Sequence, residues 1–221
     1  MENVDTSNER SVYKWTQAFD VKEQRIVAVD SHDNVVALGD KKGYVFPFEE
    51  QVSMGGDGQI GSSSNFDPLT DGGKRGPGEI NAIKYLPRCS MIALLSNNVI
   101  NIVQSYDLSS VQEIKSKKIH MFCVNNAVYS NEGDALMDQI CVVTTDKNLV
   151  FYEFQGSSSS YKFEEDKSIS DKGYSIGGSL PNQIFWDGDT IYLGSKKAYI
   201  IMNKKDGSII QSVALVNQPN P

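Results

Sequence analysis

Two glycine-rich stretches are the first candidates for chemistry in this sequence. Gly56–Gly61 has the G-x-G-x-x-G spacing that lets a backbone approach a pyrophosphate, provided that a strand precedes it and a helix follows. Here the surrounding residues are polar and rich in Gly and Ser, and no helical pattern follows. Gly72–Arg75 lacks the Walker spacing and the Ser or Thr after its lysine. Both stretches are predicted to be loops, and no cofactor is expected.

The titratable residues are too few or too scattered for an active site. The sequence has two histidines, His32 and His120, which leaves a His-based triad or metal site without partners. We expect His32 to be exposed in a turn and His120 to lie at a strand edge. The acid pairs Glu49/Glu50 and Glu164/Glu165 flank predicted strand ends, where solvated charge is usual. We therefore predict no catalytic, cofactor-binding or metal-binding residues, and a protein that is not an enzyme.

Composition narrows the class of partner. The 221 residues have an ordinary hydrophobic content of 39% and a net charge of -7, which argues against a nucleic-acid platform because phosphate binding needs clustered Lys and Arg. The longest apolar runs, Met91–Leu95 and Ala198–Met202, are far shorter than the ~20 residues of a membrane-spanning helix. Cys89, Cys123 and Cys141 are widely spaced, which disfavours both a disulfide scaffold and a zinc site. A cytosolic protein is predicted.

The elements that would carry any site are short strands rich in Val, Ile, Tyr and Phe, separated by turn residues such as Asn97-Asn98 and Asp206-Gly207. No window of eleven residues has a helical stripe with caps, so the chain is predicted to be all-β. The predicted strands fall into four groups: Arg25–Asp30, Val35–Gly39 and Tyr44–Phe48; Ile80–Leu86, Met91–Ser96, Val99–Gln104 and Val111–Lys115; Met121–Val128, Gln139–Thr144, Leu149–Phe154 and Tyr161–Glu165; Gln183–Trp186, Thr190–Gly194, Ala198–Asn203 and Ile209–Leu215.

The four groups repeat one internal order of strands and start about 50 residues apart, a period typical of propeller blades. This order favours a partial β-propeller of about four blades over a β-sandwich. We predict a flexible tail over residues 1–12, the propeller portion over 13–215 with a disordered insertion over 51–78, and a second tail over 216–221. Trp15 and Trp186 are interpreted as packing residues rather than ligand cages.

A family resemblance follows from particular motifs. The stretch Leu180–Gly188, with Ile191–Lys197 and Tyr199 after it, resembles the citron homology (CNH) domain, in the version found at the N-terminus of HOPS and CORVET tether subunits. Ile80–Ser96 with Asn98–Val103, and Val142–Tyr152, are also similar to the family pattern. Residues 37–43 are similar to a further family segment, although Asp40 replaces its usual threonine. Together the resemblance covers about residues 25–213.

The resemblance implies a non-catalytic β-propeller that binds proteins, such as Rab-type GTPases or other tether subunits, in vesicle-mediated transport. It also implies a cytoplasmic protein, peripheral on endosome or vacuole (lysosome) membranes through its partners. The alternative is the CNH regulatory domain of a Rho-pathway kinase or exchange factor, although there the domain is C-terminal and Met1 lies close to the fold here. A propeller enzyme is the third hypothesis, and the scarcity of His disfavours it. Partner-binding residues cannot be identified from the sequence.

The predicted number of blades has one further implication. A propeller normally closes into a ring, which removes exposed strand edges and faces. Four blades fall short of a ring, so the chain is expected to be a fragment or a truncated product. We expect its first and last blades to expose apolar faces around Val35–Phe48 and Ala198–Leu215, and the chain to self-associate.

Overall fold

The computed structural model describes residues 25–54, 60–69, 74–76, 78–115, 118–127, 137–157, 160–169 and 173–215. Within these ranges all regular structure is β-strand, arranged in four antiparallel sheets that follow one another along the chain. We call these sheets blades 1 to 4. In each blade consecutive strands are neighbours, so the chain runs steadily from one side of the sheet to the other. The predicted all-β class is confirmed.

The first two blades take up the chain as far as residue 114. Blade 1 consists of β1 (Ile26–His32), β2 (Val35–Asp40), β3 (Tyr44–Met54), β4 (Ile60–Pro68) and the short β5 (Lys74–Arg75), which pairs with β3. Blade 2 consists of β6 (Ile80–Leu86), β7 (Met91–Ser96), β8 (Val99–Gln104) and β9 (Ser110–Ile114).

The remaining strands form the other two blades. Blade 3 consists of β10 (Ile119–Val124), β11 (Gln139–Thr144), β12 (Asn148–Ser157), β13 (Ser160–Glu165) and the short β14 (Tyr174–Ser175), which pairs with β12. Blade 4 consists of β15 (Gln183–Asp187), β16 (Thr190–Gly194), β17 (Ala198–Asn203) and β18 (Ile209–Ala214).

In the described part of the chain the core is divided into three apolar clusters, one between each pair of adjoining blades. Alternation along β7 shows how one strand serves two clusters. Ile92 and Leu94 pack towards blade 1, whereas Ala93 and Leu95 pack towards blade 3, because successive side chains of a strand point to opposite faces. Blades 2 and 3 are therefore covered on both faces, and their middle strands read as continuous apolar runs.

The first strands of the blades lie nearest a common axis. β1 contacts β6, β6 contacts β10, and β10 contacts β15, while the later strands of each blade lie progressively further out. Face-to-face blades that share an axis at their first strands are the radial arrangement of a β-propeller rather than the two packed layers of a sandwich. The structure therefore has the predicted partial propeller of four blades.

In residues 51–78 the structure differs from the predicted disordered insertion. β3 continues to Met54, β4 pairs with it along Ile60–Pro68, and β5 pairs with the beginning of β3. The polar sequence of β4 misled the prediction, because β4 is the fourth strand of its blade and lies furthest from the shared core. Such a strand is held by backbone hydrogen bonds and does not need apolar alternation. Residues 55–59, 70–73 and 77 lie outside the described residues.

Smaller differences concern the ends of strands and two loops. β10 begins at Ile119 and ends at Val124, whereas the predicted strand ran from 121 to 128. The polar loop predicted over residues 168–179 includes the two-residue strand β14. The two predicted tails, residues 1–12 and 216–221, lie outside the described residues, as does Trp15.

The two end blades differ in exposure. The prediction of an exposed apolar face is correct for residues 198–215, where Tyr199 and Val213 are well exposed. It is wrong for much of residues 35–48, because Leu38 and Phe48 are buried there. The sequence pattern does not distinguish these two cases, since both segments consist of short apolar strands interrupted by turn residues.

Candidate binding face at one end of the central strands

The inner strands of the blades run side by side in the same direction, so their C-terminal ends come together at one end of the axis. The clearest contact joins blades 3 and 4, where Asn125 forms a parallel bridge with Trp186. The backbone N–H of Asn126 donates to the carbonyl oxygen of Trp186 at 3.1 Å. The turns that follow the inner strands are therefore gathered on one surface, which we call the end face.

A carboxylate joins blade 1 to blade 2 beside this end face. Asp30 lies in β1, and its Oδ1 accepts a hydrogen bond from Lys84 Nζ at 2.9 Å. Its other oxygen accepts from the backbone N–H of Tyr85 at 2.8 Å. Burial, with the nearby charge of Asp30, raises the pKa of the Tyr85 hydroxyl well above its usual range. Tyr85 is thus held as a neutral phenol against β1.

A second carboxylate joins blade 3 back to blade 2. Asp138 is fully buried, and its Oδ2 accepts from the backbone N–H groups of Arg88 and Cys89 at 2.9 and 2.8 Å. The guanidinium of Arg88 pairs with Asp138 Oδ1 at 3.3 Å and donates to the carbonyl of Ala127. A buried carboxylate needs such compensation by charge and hydrogen bonds. The turn of blade 2 is therefore fixed on the beginning of β11.

The same carboxylate affects the thiol of Cys89. Burial raises the pKa of Cys89 well above its usual range, and the charge of Asp138 together with a hydrogen bond from the thiol adds to the effect. Since the thiolate is the reactive form of cysteine, this raised pKa favours the less reactive thiol form of Cys89.

A buried amide joins blade 3 to blade 4. The Oδ1 of Asn125 accepts from the backbone N–H of Gly188 at 2.9 Å and from that of Ala127 at 3.1 Å. Its Nδ2 donates to Gln139 Oε1 at 2.9 Å, and Gln139 Nε2 in turn donates to Glu153 Oε1 at 3.1 Å. Each adjoining pair of blades is thus joined by a polar side chain close to the end face, and the turns there have a rigid support.

Among the described residues, concavities open on the end face, and two of them share Arg88. One has a volume of about 260 Å³ and is lined by polar groups that include His32, Lys84, Arg88 and Asn126. The other, about 520 Å³, is a groove between blades 2 and 3 that shares Arg88 with the first and includes Met137. Small-molecule sites are usually enclosed and mostly apolar, with volumes of roughly 300–1,000 Å³. The polar cavity is smaller than this range, whereas the volume of the groove lies within it.

The structure places the two histidines, His32 and His120, apart from each other. His32 is exposed at the end of β1, with its Nε2 3.3 Å from Asp33, as predicted. His120 is exposed in β10 and its Nε2 is 3.0 Å from the carbonyl oxygen of Pro181, so the two histidines are in different strands with different partners. Among the described residues no group of three His, Cys, Asp or Glu side chains could hold a metal ion.

The acid pairs and cysteines also take ordinary positions. Glu164 and Glu165 are exposed on β13, and Glu164 pairs with Lys162. Glu49 and Glu50 are half-buried in β3, inside the strand rather than at its end as predicted. The thiols of Cys123 and Cys141 are buried and lie directly opposite each other on β10 and β11, an adjacency that their wide spacing in the sequence does not reveal. No helix in the described part of the chain is long and apolar enough to span a membrane.

Trp186 is a packing residue, as predicted. It is 1% exposed, and its indole Nε1 donates to the carbonyl of Gly188 at 2.7 Å. The ring meets Phe151 of blade 3 edge to face, with centroids 5.5 Å apart. A cation also lies over it, because Lys204 Nζ is 5.7 Å from the ring centroid and 3.4 Å from Asp166 Oδ2. Trp186 thus joins blades 3 and 4.

Sequence reasoning missed the residues that join the blades. Asp30 and Asn125 fell inside predicted strands, and Asp138 directly precedes one. A signal was available in their positions, because each polar residue directly adjoins an apolar run and would be buried by it. Such a residue needs a hydrogen-bond partner, but the sequence does not say that the partner lies in the next blade.

The comparisons with known proteins bear on the fold. No protein-family model matches the chain, and no curated protein matches it in sequence. Among solved structures, the WD40 domain of Pan2 from Neurospora crassa superposes with a TM-score of 0.53 and 10% identity, over 86% of this chain and 50% of that one. The computationally designed protein Ika4 superposes with a TM-score of 0.45 and 8% identity, over 92% of this chain and all of that one.

The likeness to the WD40 domain agrees with the four radial blades and shows a partial β-propeller. The chain spans about half the length of that WD40 domain. At 10% identity the likeness shows the fold alone and does not distinguish a CNH domain from other propellers.

Proposed function

We propose that this chain is a non-catalytic protein-interaction domain of an endosomal or vacuolar tethering subunit. In this role it binds a Rab-type GTPase or other tether subunits during vesicle-mediated transport and membrane fusion. The partial propeller fold and the resemblance of residues 25–213 to CNH domains support the proposal. The same proposal includes a cytoplasmic location, peripheral on endosome or vacuole membranes through the bound partners.

The end face is the observation on which the proposal rests. Its turns are supported by the hydrogen bonds of Asp30, Asp138 and Asn125, while His32 and Asn126 at its rim are exposed. Binding residues typically lie on loops that a rigid scaffold positions, because a preorganised surface loses little conformational entropy on binding. A polar rim around a shallow cavity fits the loops of a globular protein partner.

The chemistry of the end face supports a non-catalytic role. The guanidinium of Arg88 is engaged by Asp138 and by the carbonyl of Ala127, and the thiol of Cys89 is neutral. A nucleophile would need a lowered pKa or an adjacent base, and the environment of Cys89 has the opposite effect. The groups most suited to chemistry are therefore committed to structure.

The experiment is a binding titration of the purified chain against Rab-type GTPases and Rho-type GTPases, each loaded with GDP and with a non-hydrolysable GTP analogue. We expect at least one Rab-type protein to bind, and the double variant His32→Ala/Lys84→Ala to bind it at least tenfold more weakly. Both side chains line the polar cavity, and neither is fully buried. Lys162→Ala is the matched control, because Lys162 is an exposed, paired lysine on the outer strand β13.

The outcomes separate the hypotheses. Binding to Rho-type GTPases alone would support the alternative of a Rho-pathway regulatory domain. Binding to neither class, or to tether subunits as the only partners, would remove the GTPase from the proposal. If Lys162→Ala weakened binding as much as the double variant, the end face would not be the binding surface.

A further inference from the structure

The turns at the other end of the axis carry a concentration of positive charge. Because the strands of each blade follow one another up and down, the turn between the second and third strands lies opposite the end face. This turn contains Lys41 and Lys42 in blade 1, Lys147 in blade 3, and Lys196 and Lys197 in blade 4, and all five lysines are exposed. We call the surface formed by these turns and by the segments that connect the blades the basic face.

Hydrogen bonds hold the turns of the basic face next to the connecting segments. The segment after blade 2 contains the exposed Lys118, whose carbonyl oxygen accepts from the N–H of Thr145 in the turn of blade 3 at 3.0 Å. The same turn contacts the segment before blade 4. There the carbonyl oxygen of Lys147 accepts from the N–H of Ile176 at 2.7 Å, and Lys147 Nζ donates to the carbonyl oxygen of Gly178 at 2.6 Å. The lysines therefore belong to one continuous surface.

The acidic residues of the basic face are too few to neutralise it. Its cations are the six lysines named above together with Arg25, whose carbonyl oxygen accepts from the N–H of Lys41 at 3.0 Å. Among the described residues of this face the acids are Asp40, Glu79 and Asp146. Lys115 at its edge pairs with Glu113 at 2.6 Å, so this pair adds no net charge. The basic face therefore carries a clear excess of positive charge.

The opposite end of the axis has the opposite charge. Exposed aspartates lie in the turns and strand ends there, namely Asp33, Asp107, Asp187 and Asp206. Cations at that end, such as Lys84 and Arg88, are paired with carboxylates. Because the chain as a whole has a net charge of -7, the positive charge of the basic face does not follow from composition. It results from a separation of charge along the axis.

The distribution of the lysines favours a flat partner. They lie in the turns of three blades and in one connecting segment, so they are spread across the basic face. A concavity of about 330 Å³ opens beside Lys197 between blades 3 and 4, but the other residues that line it are uncharged. A single phosphate or carboxylate group is typically held by donors that converge on it. Lysines that are spread over a surface can instead contact many anionic groups at once.

We infer that the basic face binds directly to a membrane surface rich in anionic phospholipids. The negative potential of such a surface attracts each nearby lysine without recognition of a particular headgroup. The end face then points away from the bilayer and stays accessible to proteins. This contact goes beyond the proposed function, in which the membrane is reached through protein partners, and it uses different residues.

The test is co-sedimentation of the purified chain with phospholipid vesicles. We expect binding to phosphatidylcholine vesicles that contain roughly 30% phosphatidylserine, no binding to pure phosphatidylcholine, and an affinity that falls as salt is added. A lysine near an anionic surface contributes roughly a fivefold gain in binding, so Lys41→Ala/Lys42→Ala and Lys196→Ala/Lys197→Ala should each bind at least about tenfold more weakly. Lys41→Arg/Lys42→Arg keeps the charge and should bind as well as the unchanged chain. Circular dichroism checks that each variant is folded.

The matched control is Lys162→Ala/Lys205→Ala. It removes the same charge from the outer strand β13 and from the turn after β17, and it should leave vesicle binding unchanged. The end-face variant His32→Ala/Lys84→Ala should also bind vesicles normally, so a failure of this inference is distinguishable from a failure of the GTPase proposal. Absence of binding at low salt, equal binding to neutral vesicles, or an equal loss in the control would each overturn the inference. Tighter binding of polyglutamate than of the vesicles would overturn it in favour of an acidic protein segment.

Discussion

The face of blade 2 that packs on blade 3 is covered, whereas the face of blade 4 turned away from blade 3, which we call the open face, exposes Phe185, Tyr192, Tyr199 and Val213. The two faces have one backbone plan and different side chains. Blade 2 fills its face with the aliphatic residues Ala93, Ile100 and Ile102, all buried by blade 3. Blade 4 has tyrosines at two of these three positions, Tyr192 and Tyr199. A tyrosine combines a large apolar surface with a hydroxyl that water can solvate, and it is enriched at protein interfaces. Strand register thus fixes where a face lies, and side-chain type indicates whether it is permanently covered.

The largest expected effect on stability comes from comparing substitutions on the two faces of strand β15. Trp186 and Phe185 are neighbours in β15, but Trp186 is buried against blade 3 and Phe185 points to the open face. Trp186→Ala should lower the free energy of unfolding by about 3–5 kcal/mol, because it leaves a large cavity between two blades. Phe185→Ala should lower it by less than about 1 kcal/mol. Urea unfolding of both variants measures the difference, and similar losses would mean that both faces of β15 are packed.

Equivalent isoleucines sharpen the same comparison. Ile102→Ala should cost about 2–5 kcal/mol, since the removed atoms are buried on all sides in the interface of blades 2 and 3. Ile201→Ala, at the corresponding position on the open face, should cost less than about 1 kcal/mol in dilute solution, where the face is solvated. The unfolding should be followed at two protein concentrations. A cost for Ile201→Ala that rises with concentration would show that the open face becomes covered by association.

The smallest expected effect concerns the polar contacts between adjoining blades. Gln112 joins blades 2 and 3 through hydrogen bonds of its uncharged amide, whereas Asp166 of blade 3 forms an ion pair with Lys204 of blade 4. Burial tends to raise the pKa of Asp166, but hydrogen bonds from Ser168 and the charge of Lys204 outweigh it, so the pKa lies below its usual range. A carboxylate with a lowered pKa stabilises the fold above its unfolded pKa, about 3.9, and this stabilisation is lost as the pH falls through the folded value.

Asp166→Asn should therefore lower stability modestly at pH 6, and the difference from the unchanged chain should shrink below about pH 4. The urea midpoint at each pH measures it. The loss caused by Gln112→Ala, used as the control, should be the same at both pH values, because neither an amide nor a backbone group titrates there. A constant loss for Asp166→Asn would mean that packing rather than charge is responsible.

The strands were predictable where burial alternates and the turns have suitable residues. Val99–Gln104 and Ala198–Asn203 begin and end where predicted, because Asn97-Asn98 and Ser195–Lys197 interrupt the apolar pattern on one side. β4 was not predictable in this way, since its partner β3 supplies hydrogen bonds that depend on backbone alone. Outer strands of blades have little contact with the core, so their sequences carry little periodic signal.

The end face was less predictable than the strands, for a different reason. Asp138 lies 50 residues from Arg88 in the sequence and 2.9 Å from it in the fold. Which distant residues become partners depends on how the blades stack, and the stacking is determined by many apolar side chains together. Sequence reasoning could have marked Asp138 as a residue requiring a partner, because it immediately precedes the buried strand β11. It could not have identified Arg88 as that partner.

The meander order of the strands has a consequence for folding. Each blade closes its backbone ladders within its own stretch of chain, and side chains together with a few backbone contacts, such as that of Asn126 with Trp186, connect one blade with the next. Contacts between sequence neighbours cost little loop-closure entropy, so each blade can form early on its own. The assembly then behaves as a short one-dimensional array, in which neighbouring units stabilise one another. Order should start in blades 2 and 3, which have a neighbour on each side, and reach β18 at the open end last.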